Sequence, residues 1–127
     1  MNARDVMSEI RAAFADVAKP TDDVPGLDVF VDGNLHLIGP ESLRYYFLPI
    51  VERSIEAGDR DLLDSLLLVL RKVNRRHAAW QVSLFDKPQR DAVRALLRFL
   101  ACNEECLTSH ESPVLVERAI PLWDKLA

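Results

Sequence analysis

Apolar side chains recur at three- and four-residue intervals along most of the chain, and this period constrains the fold more than any other feature of the sequence. Such a period is typical of amphipathic helices that bury one stripe of side chains. It therefore predicts a mainly α-helical protein. The densest stripe follows Asp59 and consists of Leu62, Leu63, Leu66, Leu67, Leu70 and Val73.

Capping and breaking residues divide these stripes into about five helices. The first is expected to span about Ala3 to Ala18, because Pro20 disfavours helical backbone in the residue before it. Asp86 and Gln89 have the spacing of a capping box at a helix start. Gly58 is a typical helix terminator. The later helices are predicted to begin near Pro40, Asp59, Asp86 and Ser112.

One segment departs from the helical period. The apolar runs at residues 29–31 and 35–38 flank Asp32-Gly33-Asn34, and Asp-Gly between such runs is typical of a β-hairpin. A length of 127 residues, 49% of them hydrophobic, fits one domain with a real core. The predicted fold is a single helical domain over residues 1–127, a bundle of about five helices with one small β-hairpin.

Composition points to a cytoplasmic protein without a cofactor. The longest run of apolar residues, Leu66 to Leu70, is far too short to span a bilayer, and the first ten residues lack the apolar stretch of a signal peptide. Two cysteines do not make a disulfide framework, so we expect a reducing compartment. Four glycines, none in a phosphate-binding motif, predict no nucleotide site.

Charge is segregated along the chain, although the net charge is only −4. Residues 1–64 hold 13 acidic and 6 basic residues, whereas residues 65–98 hold 2 acidic and 8 basic ones. Residues 99–127 are acidic again, with 5 acidic and 2 basic residues. This pattern predicts that oppositely charged surfaces meet, either within the protein or across an interface.

Arg90, Arg94 and Arg98 stand at successive four-residue intervals on the predicted fourth helix. Each pair of like charges at this spacing destabilises a helix by about 0.2–0.5 kcal/mol unless a negative charge lies close to it. Three partners are considered: acids of the same chain, an acidic protein, and nucleic-acid phosphate. The acidic net charge argues against nucleic acid. Candidate acids within the chain are Glu52, Glu56, Asp61 and Asp64.

Four aspartates crowd the segment before the second helix, namely Asp22, Asp23, Asp28 and Asp32. Turn chemistry explains Asp32, and loop solvation is a sufficient reason for the others. A sharper interpretation is a recognition surface for a basic protein, because such carboxylates raise association rates by electrostatic steering.

Two other groups of residues suggest sites. Pro49 lies inside a predicted helix and leaves the carbonyl of Tyr45 without its donor, so a core kink competes with a pocket formed by His36, Tyr45 and Pro49. The four-residue spacings of Cys102, Cys106 and His110 would suit metal ligands on one helix, but the helix is expected to end before His110. We therefore predict no metal site.

Two segments, LIGPESLRYYFLPIVE at 37–52 and SLFDKPQRDAVRALLRFLA at 83–101, carry a family resemblance. Together they resemble an uncharacterised family of small bacterial proteins with a segment of the form P-E-x-x-R-Y-Y-x-P followed by F-x-x-x-Q-x-x-A-V. Pro49 stands one residue later than is usual for that family. The resemblance covers roughly residues 35–100 and implies a bacterial origin, but it brings no established activity.

These features favour a protein-binding module over an enzyme. The leading hypothesis is an immunity- or antitoxin-like protein that neutralises a bacterial toxin or effector by stoichiometric binding. The alternatives are a small enzyme with a site near Tyr45 and His36, and nucleic-acid binding through the three arginines. No nucleophile motif or catalytic signature supports the enzyme.

Overall fold

The computed structural model describes residues 2–19, 25–31, 34–35, 38–71, 85–107 and 112–125, and it confirms a mainly helical fold. Within these ranges a π-helix (Glu52–Glu56) continues the third α-helix, and a short 3-10 helix (Glu104–Cys106) follows the fifth. The α-helices are α1 (Ala3–Phe14), α2 (Leu27–Val31), α3 (Pro40–Val51), α4 (Arg60–Arg71), α5 (Lys87–Cys102) and α6 (Ser112–Asp124).

The predicted β-hairpin is wrong. Its expected first strand is the short helix α2, and no strand lies in the described part of the chain. Two strands alone are only marginally stable. One helical turn instead buries Phe30 and leaves Asp28 in the first turn, where the helix dipole favours an acid. Packing therefore overrides the β propensity of the Val-Phe-Val sequence, while Asp32 and Gly33 lie outside the described residues.

Local capping signals are confirmed at several helix ends. The Asp59 carboxylate accepts from the Leu62 N–H at 3.1 Å. The capping box of Asp86 and Gln89 is complete, with both of its hydrogen bonds formed. Gly58 ends the α3 region with a positive φ of 76°.

Helix α1 is shorter than predicted, since it ends at Phe14 and not near Ala18. The carbonyl of Ala13 accepts a hydrogen bond from Nε2 of Gln89 at 3.2 Å. A side chain from another helix thus satisfies one of the carbonyls that a helix end leaves open. This contact gives a physical reason for the early end of α1.

Buried side chains from all six α-helices form one hydrophobic cluster. Helix α5 packs against both α1 and α6, and α6 also packs against α4. Four aromatic rings pack against one another between the helices. The ring centroid of Phe14 lies 4.6 Å from that of Phe47 and 6.0 Å from that of Phe85, and the centroids of Phe85 and Trp123 are 5.6 Å apart. The buried indole of Trp123 donates to the Leu70 carbonyl at 3.1 Å, which ties α6 to α4.

The π-helix follows Pro49 and contacts α1. Pro49 has no N–H, and the hydrogen-bond register widens a few residues later, where the Ala57 N–H donates to the Glu52 carbonyl at 3.1 Å. Both carboxylates of the π-helix, Glu52 and Glu56, pair with the guanidinium of Arg11. None of the helices in the described ranges is both long and apolar enough to cross a membrane.

Candidate functional site

Helix α2 carries the one aspartate of the predicted acidic surface that the structure describes. Asp28 is exposed there, whereas Asp22, Asp23 and Asp32 lie outside the described residues. The neighbouring Val29 is 52% exposed, the most exposed of the three large apolar side chains that reach solvent in the described ranges, with Leu68 and Val114. Helix α2 therefore presents an acid and an apolar side chain to solvent side by side.

Two aromatic residues fasten α2 to the bundle. Phe30 is buried, and its ring lies 6.1 Å from that of Tyr46 on α3. The Tyr46 hydroxyl donates to the carbonyl of Pro25, two residues before α2, at 2.8 Å. Burial raises the pKa of Tyr46, and the neighbouring Tyr45 adds to the rise. Tyr46, and not Tyr45, therefore uses its hydroxyl to hold this surface.

The predicted pocket of His36, Tyr45 and Pro49 stays a prediction. His36 lies outside the described residues, so its position relative to the other two is not described. Tyr45 is half-buried, and its ring centroid lies 4.9 Å from that of Tyr46. Pro49 is half-buried inside α3.

Two of the three arginines in the α5 row pair with one acid on α6. The Arg94 Nε donates to Asp124 at 3.0 Å, and a terminal nitrogen of Arg98 donates to both carboxylate oxygens of Asp124, at 2.8 and 2.9 Å. The hydrogen bond from Arg94, reinforced by Arg98, lowers the pKa of Asp124. This acid is not among those proposed from the sequence. Helices that follow one another usually pack together, which would have pointed to α6.

The other contacts of this row are also internal. Arg94 pairs with Asp91 at 3.3 Å, and Lys87 pairs with the same carboxylate at 3.0 Å. The hydrogen bond from Lys87 is the largest cause of the lowered pKa of Asp91. Arg90 donates to the carbonyl of Phe85 at 2.5 Å. Arg94 and Arg98 thus connect α5 to α6, whereas Arg90 bonds to the backbone just before α5.

Acids proposed as partners of the row instead serve other contacts. Glu52 and Glu56 bind Arg11, and the carboxylate of Asp64 accepts from the buried hydroxyl of Ser112 at the start of α6. Asp61 is exposed at the start of α4. In the described part of the chain, none of these four acids therefore forms the predicted ion pair with an arginine of the α5 row.

The possible metal ligands are only partly described. Cys102 is exposed at the end of α5, Cys106 is partly exposed in the 3-10 helix, and His110 lies outside the described residues. Across the described ranges, no three residues of the His, Cys, Asp and Glu types are placed to hold a metal ion.

The surface of the described residues includes two hollows of different size. The larger one is an open groove of about 400 Å³ between α1 and α5. The smaller hollow, of about 80 Å³, lies where α5 meets α6 and is lined by Ala101, Leu107, Pro113, Val116 and Glu117. No sequence pattern predicted the groove, because its walls come from helices that are far apart in the chain.

Comparisons with protein-family models, with curated proteins and with solved structures found no match for this chain. The resemblance to the small bacterial family therefore stays a prediction from the two quoted segments.

Proposed function

We propose that the protein is a protein-binding module, of the immunity- or antitoxin-like kind, which neutralises a basic toxin or effector by stoichiometric binding. The observation that carries the proposal is the arrangement of α2. Its inner side is fixed by Phe30 and by the hydrogen bond from Tyr46 to Pro25, while Asp28 and Val29 face solvent. A surface that is ordered before binding loses less entropy on association.

The chemistry of this surface suits a basic partner. Protein interfaces combine apolar contacts at the centre with polar groups at the rim, and Val29 beside Asp28 offers both. Asp23 and Asp32 stand close to α2 in sequence, so the segment is rich in carboxylates. Carboxylates of this kind steer a positively charged partner and raise its association rate.

The contacts of the arginine row weigh against the nucleic-acid alternative. Arg94 and Arg98 already share the carboxylate of Asp124, so a phosphate would have to compete with a charge-assisted contact. Loss of that contact would leave Asp124 without these two partners. The row is therefore better explained as an internal connection between α5 and α6.

The proposal is tested with the partner captured from the native host, identified, and then purified for binding measurements. We expect a one-to-one complex by size-exclusion chromatography with light scattering. Charge reversal at Asp22→Lys, Asp23→Lys and Asp28→Lys should lower the association rate by about tenfold at low salt, and by less at high salt. Val29→Ala should mainly raise the dissociation rate.

The matched control is Glu105→Lys, which reverses an exposed charge in the 3-10 helix after α5. It should leave both rates nearly unchanged. Unaltered binding by the triple variant would refute the α2 surface. A complex without fixed stoichiometry would refute neutralisation by one-to-one binding.

A further inference from the structure

The groove between α1 and α5 is formed by the second half of α1 and the first turns of α5. The buried amide of Gln89 fixes its shape, because Nε2 of Gln89 donates to the carbonyl of Ala13 on the opposite helix. The groove therefore exists before any ligand arrives. Its lining consists of Glu9, Ala12 and Ala13 from α1, and of Lys87, Pro88 and Asp91 from α5.

The charges in this groove leave one acid without an internal partner. Lys87 and Asp91 pair with each other at 3.0 Å, and Asp91 also accepts from Arg94. Glu9 is half-buried in the opposite wall, and no ion pair or hydrogen bond of its carboxylate is found among the described residues. The lining is therefore net negative, which favours a cation over an anion.

The small side chains of the lining determine what else can fit. Ala12, Ala13 and Pro88 give the groove an apolar floor without filling it. Lysine and arginine place their methylene stems against such surfaces while their charged groups reach a polar partner. A volume of about 400 Å³ lies at the lower end of the range for small-ligand sites.

We propose that this groove binds a lysine or arginine side chain of the partner protein, with the stem against Ala12, Ala13 and Pro88 and the cation at Glu9. The inference rests on the proposed function, since it assigns a second contact of the same basic partner. It concerns a different part of the surface from α2, and it is testable without the partner.

The test is a two-dimensional amide NMR titration of the full chain with the peptide acetyl-Gly-Arg-Gly-amide. A second titration uses the same peptide with citrulline, which keeps the shape of arginine but carries no charge. We expect saturable shifts at Glu9, Ala12, Ala13 and Asp91 with the arginine peptide. The citrulline peptide should bind more weakly by roughly two- to five-fold, as expected for a partly exposed ion pair.

Three variants separate charge from shape. Glu9→Gln should lower the affinity for the arginine peptide to that for the citrulline peptide. Ala12→Leu should block both peptides, because its branched side chain fills the floor. Glu105→Gln removes the same charge more than about 15 Å away along the α5 axis and should change nothing.

Shifts that spread over the surface without saturation, or equal binding of both peptides, would overturn the groove assignment. So would undiminished binding by Glu9→Gln. None of these outcomes depends on the α2 variants or on the captured partner, so failure here is distinct from failure of the proposed function.

Discussion

Arg44 and Gln89 lie 45 positions apart in the chain, and the Nε of Arg44 donates to Oε1 of Gln89 at 2.9 Å. The same oxygen accepts from the Asp86 N–H at 3.0 Å, and Nε2 of Gln89 donates to the Ala13 carbonyl. One amide that is only 2% exposed thus joins α1, α3 and the start of α5. Arg44 lies in the first and Gln89 in the second of the two segments that carry the family resemblance. Their hydrogen bond gives a structural reason for these two residues to occur together.

Gln89→Ala should lower the free energy of unfolding by about 1–3 kcal/mol, because it removes three part-buried hydrogen bonds that join three segments. Urea denaturation followed by circular dichroism measures the change. Asp86→Ala is the control, since it removes the helix cap but leaves the contacts of Gln89 with Arg44 and Ala13; it should cost about 1 kcal/mol. Equal losses in the two variants would mean that Gln89 acts only within its own capping box.

Asp124→Asn should lower the free energy of unfolding at neutral pH but not in acid. Arg94, and then Arg98, lower the pKa of Asp124, so the charged carboxylate stabilises the folded state above its unfolded pKa of about 3.9. That contribution is lost as the pH falls through the lower folded pKa. Because the side chain is 37% exposed and screened by solvent, we expect a loss of roughly 0.5–1 kcal/mol at pH 7.

Urea titrations at neutral pH and at about pH 2 test this difference, because protonation of Asp124 toward the acid end progressively removes the charge that Asp124→Asn lacks. Glu117→Gln is the matched control, as it neutralises an exposed acid in the same helix. A deficit of Asp124→Asn that persists in acid would show that packing, and not charge, is responsible.

Sequence reasoning succeeded where a residue and its partner are close neighbours in the chain. The capping box of Asp86 and Gln89 spans three positions, and so does the contact of Asp59 with the Leu62 N–H. Backbone geometry fixes such pairs before the tertiary structure matters. The mainly helical fold followed from the same local logic, because the helical period records which face of each segment is buried.

Contacts between distant helices could not be ranked from the sequence. The sequence offers 20 acidic residues as ion-pair partners for Arg98, and its pairing with Asp124 depends on how α5 packs against α6. The hairpin failed for a related reason, since the fate of Phe30 depends on Tyr46, far from it in the chain. The groove at Glu9 likewise requires the packing of α1 on α5.

Gly58→Ala should lower the free energy of unfolding by about 1 kcal/mol through the backbone alone. Gly58 has a φ of 76°, a region that residues with a Cβ adopt at a cost, yet an added Cβ would meet no atom within 4 Å. Gly26→Ala is the control, because that position also has free space but no positive φ. Thermal unfolding of both variants measures the effect, and similar melting temperatures would contradict it.

Tyr46→Phe should loosen α2, because it removes the hydrogen bond to the Pro25 carbonyl. We expect a loss of about 1 kcal/mol and faster hydrogen exchange at residues 27–31. Tyr45→Phe should leave that exchange unchanged. Burial raises the pKa of Tyr46, so its stabilisation is complete below the unfolded pKa of about 10 and is lost as the pH rises further. The two proteins should therefore converge in stability at high pH; unchanged exchange in Tyr46→Phe would leave Phe30 as the anchor of α2.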